Sequence, residues 1–344
     1  MMPLPGPYIV WLKIAVVLAA FYVLSQVTPI CLPVILAVII SFILNPLVEL
    51  LAKVRLWPAV RRPPRGLAVA AAILLAVGVA ALTLNFIFAP FAREFNRFIV
   101  NLPEIVQRIQ NLTGVLEERA HALDLPENIR LLADQILSSA ASYAVAVGRR
   151  ALAATVGFAS RVVELVVVPV LAYYFLKDWR ELKESALGVL PPPGREKGRA
   201  IIEEMAAVVS GYIRGQALVS VIIGLFVFIG MYFLDVDYPL VLGLLAAITE
   251  AIPVIGPIIG TAPAVLLAYL LSPALAIKVI VFFLVIHQIE NHIVVPKIMG
   301  RSIDLHPVTV IISLLIGGQL FGIVGMILAV PAMAMLKVLY KHLW

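Results

Sequence analysis

The sequence predicts an all-α polytopic membrane protein with two inverted re-entrant helical hairpins and a small external helical cap. Three observations carry that prediction. The 344 residues are 62% hydrophobic and only 13% charged, where soluble domains hold about 25% charged residues. Several apolar runs reach the roughly 20 residues needed to cross a bilayer. Residues 238–271 and 306–339, finally, read as one device written twice. Each opens on a ring-bearing residue and a proline, Tyr238-Pro239 and His306-Pro307, and each later passes a Pro-Ala pair, Pro263-Ala264 and Pro331-Ala332. The first and last prolines stand 24 residues apart in both (263 − 239 and 331 − 307).

From the N-terminus, residues 8–27 and 30–51 are apolar and joined around Thr28-Pro29. Lys53, Arg55, Arg61, Arg62 and Arg65 follow, and basic loops favour the cytoplasm, so the N-terminus is expected inside as well. Lys13 interrupts the first apolar run and no small-residue cleavage site is evident, so a retained helix is expected rather than a signal peptide. Residues 67–91 cross outward. Residues 92–150 turn polar and amphipathic, with Ile105, Ile109, Leu112 and Leu116 at helical spacing. Parity makes this region external, two or three helices punctuated at Gly114 and Pro126. Residues 151–176 cross inward. Residues 177–214 are charged, basic and interrupted at Pro191-Pro192-Pro193-Gly194. The expected organisation is therefore 1–91 as N-terminal transmembrane helices, 92–150 as an external helical region, 151–214 as a span plus a cytoplasmic helical segment, and 215–344 as a transport core.

Charge parity then shapes the core. Residues 216–234 cross outward to Asp235-Val236-Asp237, and 274–289 cross back to a loop with Lys297 and Arg301. Residues 238–271 must begin and end outside, turning near 252–257. Residues 306–339 begin inside, and Lys337, Lys341 and His342 favour an inside C-terminus, so the second stretch turns near 317–322. One hairpin opens outward and the other inward, the arrangement of an inverted repeat. A long kinked helix in each place remains the competing reading.

Few residues could carry chemistry. Glu250 lies at the first break within apolar surroundings, where a carboxylate is costly and by default functional. The cost of ionising it there makes it a candidate proton carrier; capping a broken helix is the alternative. Pro253, Gly256 and Pro257 supply the turn and free backbone carbonyls. Gln288, Glu290 and Asn291, within the polar run 287–292, could reach a cavity or simply sit at an interfacial helix end. His287 and His292 lack the i, i+4 spacing of a metal pair. Gly317, Gly318, Gln319 and Gly322 form the second break, where close helix packing through glycine is the plainer reading. Arg214, Gln216, Asn45, Ser41 and Gln26 look like interhelical or anchoring groups.

The exclusions are also informative. Gly194-Arg195-Glu196-Lys197-Gly198 lacks the spacing and the Ser/Thr of a phosphate-binding loop, and neither a nucleophile elbow nor a zinc-ligand array is present. The net charge of +6 sits beside apolar runs, so it speaks for the membrane and not for nucleic acid. Cys31 has no partner for an internal disulfide. No cofactor is expected beyond a coupling proton or sodium ion.

Four strings carry a resemblance: Pro169-Val170-Leu171-Ala172-Tyr173-Tyr174-Phe175-Leu176-Lys177-Asp178, Glu250-Ala251-Ile252-Pro253-Val254-Ile255-Gly256-Pro257, Ile289-Glu290-Asn291-His292-Ile293-Val294-Val295-Pro296-Lys297-Ile298-Met299-Gly300 and Leu305-His306-Pro307-Val308-Thr309-Val310. Together they resemble the autoinducer-2 exporter family, the PerM-type permeases, over nearly the whole chain. The resemblance implies a multi-pass transporter of the bacterial inner membrane, export of autoinducer-2 or sodium–proton exchange, and homo-oligomers, pentamers among them. Two function classes stay open. One is a secondary transporter moving a small polar solute or ion, as exporter or sodium–proton antiporter. The other is an oligomeric membrane scaffold or channel, in which Glu250 and Gln319 would be dispensable.

Overall fold

The computed structural model describes residues 28–53, 64–122, 135, 162–300 and 305–343. The first apolar run (8–27), Gln26, most of the basic loop 54–63, residues 123–150 apart from Gln135, and Arg301 lie outside the described residues. So does the first part of the span expected at 151–176. All regular structure among the described residues is helical. In chain order the helices are α1 (Thr28–Lys53), α2 (Arg65–Ala122), α3 (Val162–Gly188), α4 (Arg195–Phe233), α5 (Pro239–Thr249), α6 (Ile255–Leu271), α7 (Pro273–Ile289), α8 (Val295–Met299) and α9 (Pro307–Leu343). A 3-10 turn at Pro192–Gly194 precedes α4, and a π-helical segment, Glu290–Val294, joins α7 to α8. Five helical stretches are long and apolar enough to cross a membrane: Leu32–Lys53, Arg65–Thr83, Pro192–Phe233, Pro273–Met299 and Pro307–His342.

One helix differs from expectation. The sequence suggests a span ending near Phe91 followed by separate helices broken at Gly114. Instead α2 runs unbroken for 58 residues through Pro90, Pro103 and Gly114. At 1.5 Å per residue that is about 87 Å. Proline costs a helix one hydrogen bond and a clash, and glycine costs about 1 kcal/mol; neither suffices to end a helix whose flanking turns are satisfied.

The chain divides into two compact units, residues 1–80, 161–214 and 328–344, and residues 81–160 and 215–327. In the first, α1 packs on α3 through Ala37, Val168 and Ala172, and Val48 packs on Ala68, Val69, Ala72 and Leu176. Alanines at these crossings let backbones approach, the usual interface chemistry of membrane helices. Ser41 donates to the Ala37 carbonyl at 2.6 Å, and Arg65 Nε donates to the Leu176 carbonyl at 3.0 Å. Asn45 only bonds along its own helix, to Glu49. Ion pairs join α3 to α4 (Lys183–Glu203, 2.7 Å; Arg199–Glu184, 2.8 Å), and Lys341 meets Glu204 at 2.8 Å.

The second unit holds the main core: Val219, Ile223 and Val227 of α4, Leu242 and Ala246 of α5, Ala264 and Ala268 of α6, Val279 and Phe283 of α7. Tyr238 before α5 has φ 60° and gives no side-chain cap. The cap comes from α2, where Glu94 Oε2 accepts from Val241 N at 3.0 Å. A carboxylate at a helix start also meets the positive end of its dipole. Burial holds the Glu94 carboxyl above its ordinary value, while the amides of Val241 and Leu240 and the Arg97 guanidinium pull it down. Asn101 Nδ2 donates to the Tyr238 hydroxyl at 2.9 Å, and Phe98 meets the Tyr238 ring edge-on.

Candidate functional site

Both halves of the sequence repeat are interrupted, and at each interruption the chain doubles back. Between α5 and α6 the turn occupies 250–254. Ile255 N donates to the Pro253 carbonyl at 2.7 Å across Val254, whose φ is 67° and ψ −47°. That is a γ-turn of the strained hand, on a β-branched residue that avoids positive φ. Gly256 and Pro257 lie in the first turn of α6 rather than in the turn itself. A Cβ on Gly256 would overlap the Thr249 carbonyl, and one on Gly260 would lie 3.3 Å from Ala246 Cα. Residues 14 apart along one helix would be about 21 Å apart, so α5 and α6 run back along each other.

In α9 the helical dihedrals fail at Phe321 (φ −135°, ψ 16°) and Gly322 (φ 59°, ψ −139°). A Cβ on Gly325 would overlap the Gly317 carbonyl, which one continuous helix forbids. The positive-φ residues, Val254 and Gly322, each fall 15 positions after the opening proline (254 − 239 and 322 − 307). Thr249 and Gly317, whose carbonyls abut the returning limbs, each fall ten after it (249 − 239 and 317 − 307). Gly318 belongs to the outgoing limb, 3.1 Å from Met326 Cγ if given a Cβ. Gln319 is exposed.

Beside the first turn the second unit buries two carboxyl groups. Glu250 is 3% exposed and Glu290 6%, and their carboxyl groups are close enough to interact electrostatically. Glu290 heads the π-helical segment, in which Val295 N reaches back to the Glu290 carbonyl. Pro296 explains the local widening. It supplies no N–H, and its ring clashes with the carbonyl four residues back, at His292; π-bulges of this kind often mark functional sites. On the other side Glu290 Oε2 lies 2.9 Å from His287 Nδ1, and His287 Nε2 lies 3.3 Å from Thr261 Oγ1 of α6. Thr261 donates its one proton to the Pro257 carbonyl at 2.7 Å, so its hydroxyl accepts from Nε2–H. The 2.9 Å contact between His287 Nδ1 and Glu290 Oε2 ties the imidazole to the buried acidic pair.

Gln216 of α4 anchors the turn, its Nε2 donating to the Glu250 carbonyl at 2.5 Å. One turn further along α4, the buried Ser220 hydroxyl has no hydrogen-bond partner among the described residues. Arg214, by contrast, bonds within its own turn, to the carbonyl and hydroxyl of Ser210. Replacing Gln216 by Leu would strand the Glu250 carbonyl. The expected cost is about 1–3 kcal/mol, read as a lower unfolding temperature in detergent; an unchanged transition would show that the tether carries no weight.

Of the residues singled out in the sequence, Glu250 and Glu290 come together, with Pro253, Gly256 and Pro257 shaping the turn beside them. Gln288 and Asn291 are exposed and stand apart from the carboxyl pair. Gln216, singled out as an interhelical or anchoring group, joins them through the Glu250 carbonyl. Thr261 joins through His287 without a strong sequence signal, one hydroxyl within an apolar helix. Among the described residues, no group of three His, Cys, Asp or Glu is arranged to hold a metal ion.

Five helical stretches long and apolar enough to cross a membrane, with a buried acidic pair in the second unit, define a multi-pass helical membrane protein, the class to which transporters belong. The AI-2E family transporter model matches residues 12–344, and the chain belongs to that family. It is 30% identical to YueF of Bacillus subtilis (strain 168), a protein carried under a provisional transport-protein name, over 90% of this chain and 83% of the relative. It is 26% identical to PerM of Escherichia coli (strain K12), provisionally named a permease, over 96% and 92%. A Thermotoga maritima relative with a provisional transport name is 23% identical, over 94% of each chain. The chain is thus a membrane transporter, working on a solute within a lipid bilayer, and not an enzyme.

Proposed function

We propose that the chain is a secondary transporter that moves a small polar solute, such as autoinducer-2 or a related metabolite, out of the cell in exchange for protons. Residues 238–271 and 306–339 serve as inverted re-entrant hairpins of a transport core spanning 215–344, in the bacterial inner membrane, with both termini cytoplasmic. The single observation that supports the reading best is the buried Glu250–Glu290 pair at the tip of the first hairpin, tied to His287. A buried carboxyl group that gives up and regains a proton can trade that proton for solute or cation. Sodium–proton exchange uses the same atoms, and the facing carboxyl groups favour it as the second reading. The resemblance to PerM-type permeases supports work as a homo-oligomer, with pentamers among the assemblies, and 92–150 is the region assigned to those contacts.

The deciding experiment is flux in proteoliposomes with imposed pH and sodium gradients and a panel of polar solutes. Solute movement driven by pH alone supports the exporter. Sodium movement without solute supports the antiporter. No flux under any gradient, with folded protein, leaves the scaffold reading. The hairpin topology has its own test. Cysteines at Val236 and Ser272, on a Cys31→Ser background, are expected to react with an impermeant maleimide from one and the same side. Reaction from opposite sides would make 238–271 a crossing segment.

A further inference from the structure

In the second unit, α2 from Thr83 to Arg97, α4 and α5 enclose a groove of about 900 Å³. Its walls are apolar, with Phe86, Ile87, Val221, Leu225, Phe228 and Leu244 along it. Phe86, Val221 and Leu225 are 77%, 64% and 53% exposed. The floor is closed because α4 and α5 touch backbone to backbone. A Cβ on Gly224 would stand 2.9 Å from the Gly243 carbonyl, and one on Gly243 would stand 2.8 Å from the Gly224 carbonyl. The end of the groove is different. Arg93 and Arg97, one turn apart on α2, line it, and both are exposed. Glu94 between them is occupied with Val241 N. Arg93 uses Nε on the Ala89 carbonyl at 3.3 Å, which leaves its terminal amino groups free to donate.

We propose that this groove is a binding site for an anionic phospholipid, with an acyl chain along the apolar walls and the phosphate on Arg93 and Arg97. Thr83 to Arg93 is about 15 Å along the helix, one leaflet's share of a core about 30 Å thick. Guanidinium forks match phosphate oxygens two by two, and at a membrane boundary each basic residue favours anionic lipid. Charge decides against a second copy of the chain as occupant. An apolar protein surface seated here would cover the Arg93 and Arg97 guanidinium groups while bringing no counter-charge beyond the one Glu94 between them, which is costly. The assignment is independent of the carboxyl pair and of the transported solute.

The test uses the full chain, reconstituted with equal amounts of phosphatidylglycerol and phosphatidylcholine of identical acyl chains, extracted gently, and weighed with its bound lipids by native mass spectrometry. The wild type is expected to retain phosphatidylglycerol over phosphatidylcholine by roughly tenfold or more. Arg93→Gln/Arg97→Gln is expected to lose the preference, and Arg93→Lys/Arg97→Lys to keep part of it. Leu225→Trp, which fills the groove and leaves both arginines, is expected to lose retained lipid of either kind. Equal retention of the two lipids by the wild type overturns the proposal. So does an unchanged preference in the folded glutamine double variant, or full retention in Leu225→Trp. Lipid-independent disulfide formation between copies through Leu225→Cys, on a Cys31→Ser background, would make the groove an interface between subunits and overturn it as well.

Discussion

Glu250→Gln is expected to abolish gradient-driven accumulation while leaving solute exchange between equal compartments intact. The glutamine keeps the size of the side chain and can still donate to Glu290. It can no longer give up and regain a proton. An imposed difference of one pH unit is worth about 1.4 kcal/mol per proton and drives about tenfold accumulation at one-for-one coupling. In the variant that ratio should fall to about one, and the pH profile of transport should flatten. The pairing with Glu290 sharpens the test. Because the two buried carboxyl groups lie beside each other, Glu290→Gln should also flatten the profile, and the double variant should be no worse than either single one. A Glu250→Gln protein with wild-type accumulation and wild-type pH profile would make the pair structural and move coupling elsewhere.

Gly256→Ala and Gly325→Ala should be the most destabilising of the small substitutions. Each added methyl would overlap a backbone carbonyl, of Thr249 in one case and Gly317 in the other. Backbone on a returning limb cannot swing aside as a side chain can, so the limbs must part. Overpacking of this kind costs about 1–3 kcal/mol and sometimes more. Gly78 of α2 provides the contrast, since nothing lies within 4 Å of its position. There the change to alanine should stabilise the helix by up to about 1 kcal/mol. Thermal unfolding in one detergent compares the three. If Gly256→Ala melted with Gly78→Ala, the α5–α6 turn would be looser than its geometry.

Much of this was legible in the residues because the bilayer leaves few options. A chain so apolar must satisfy its backbone internally, so helices follow from composition alone. The two interruptions were visible because proline and glycine stand where an apolar helix would otherwise continue, and Glu250 was visible because nothing around it in sequence is charged. Three features were not legible. The continuity of α2 depends on neighbouring turns tolerating Pro103 and Gly114, a balance of a few kcal/mol that local pattern does not reveal. The meeting of Glu250 with Glu290 joins residues 40 positions apart (290 − 250) and depends on the π-helical widening before Pro296, which reorients one carboxylate. Gln288 and Asn291, equally polar on paper, flank that widening and are exposed instead. Thr261 looked like one hydroxyl among apolar residues until the fold set it against His287.

The cap of α5 has a consequence for how the protein is made. Its first amides are served by a carboxylate 147 residues earlier in the chain. At cellular rates of about 5–20 residues per second, the ribosome needs roughly 7–30 s to cover that interval. Throughout it Glu94 exists without the helix it serves, and α5, when it emerges, begins on a left-handed tyrosine that gives no side-chain cap. The start of α5 is therefore completed by a chain segment already waiting. A nascent chain stalled before Pro239 would carry its acceptor but not its donors, and only passage of the ribosome past Val241 could bring the two together.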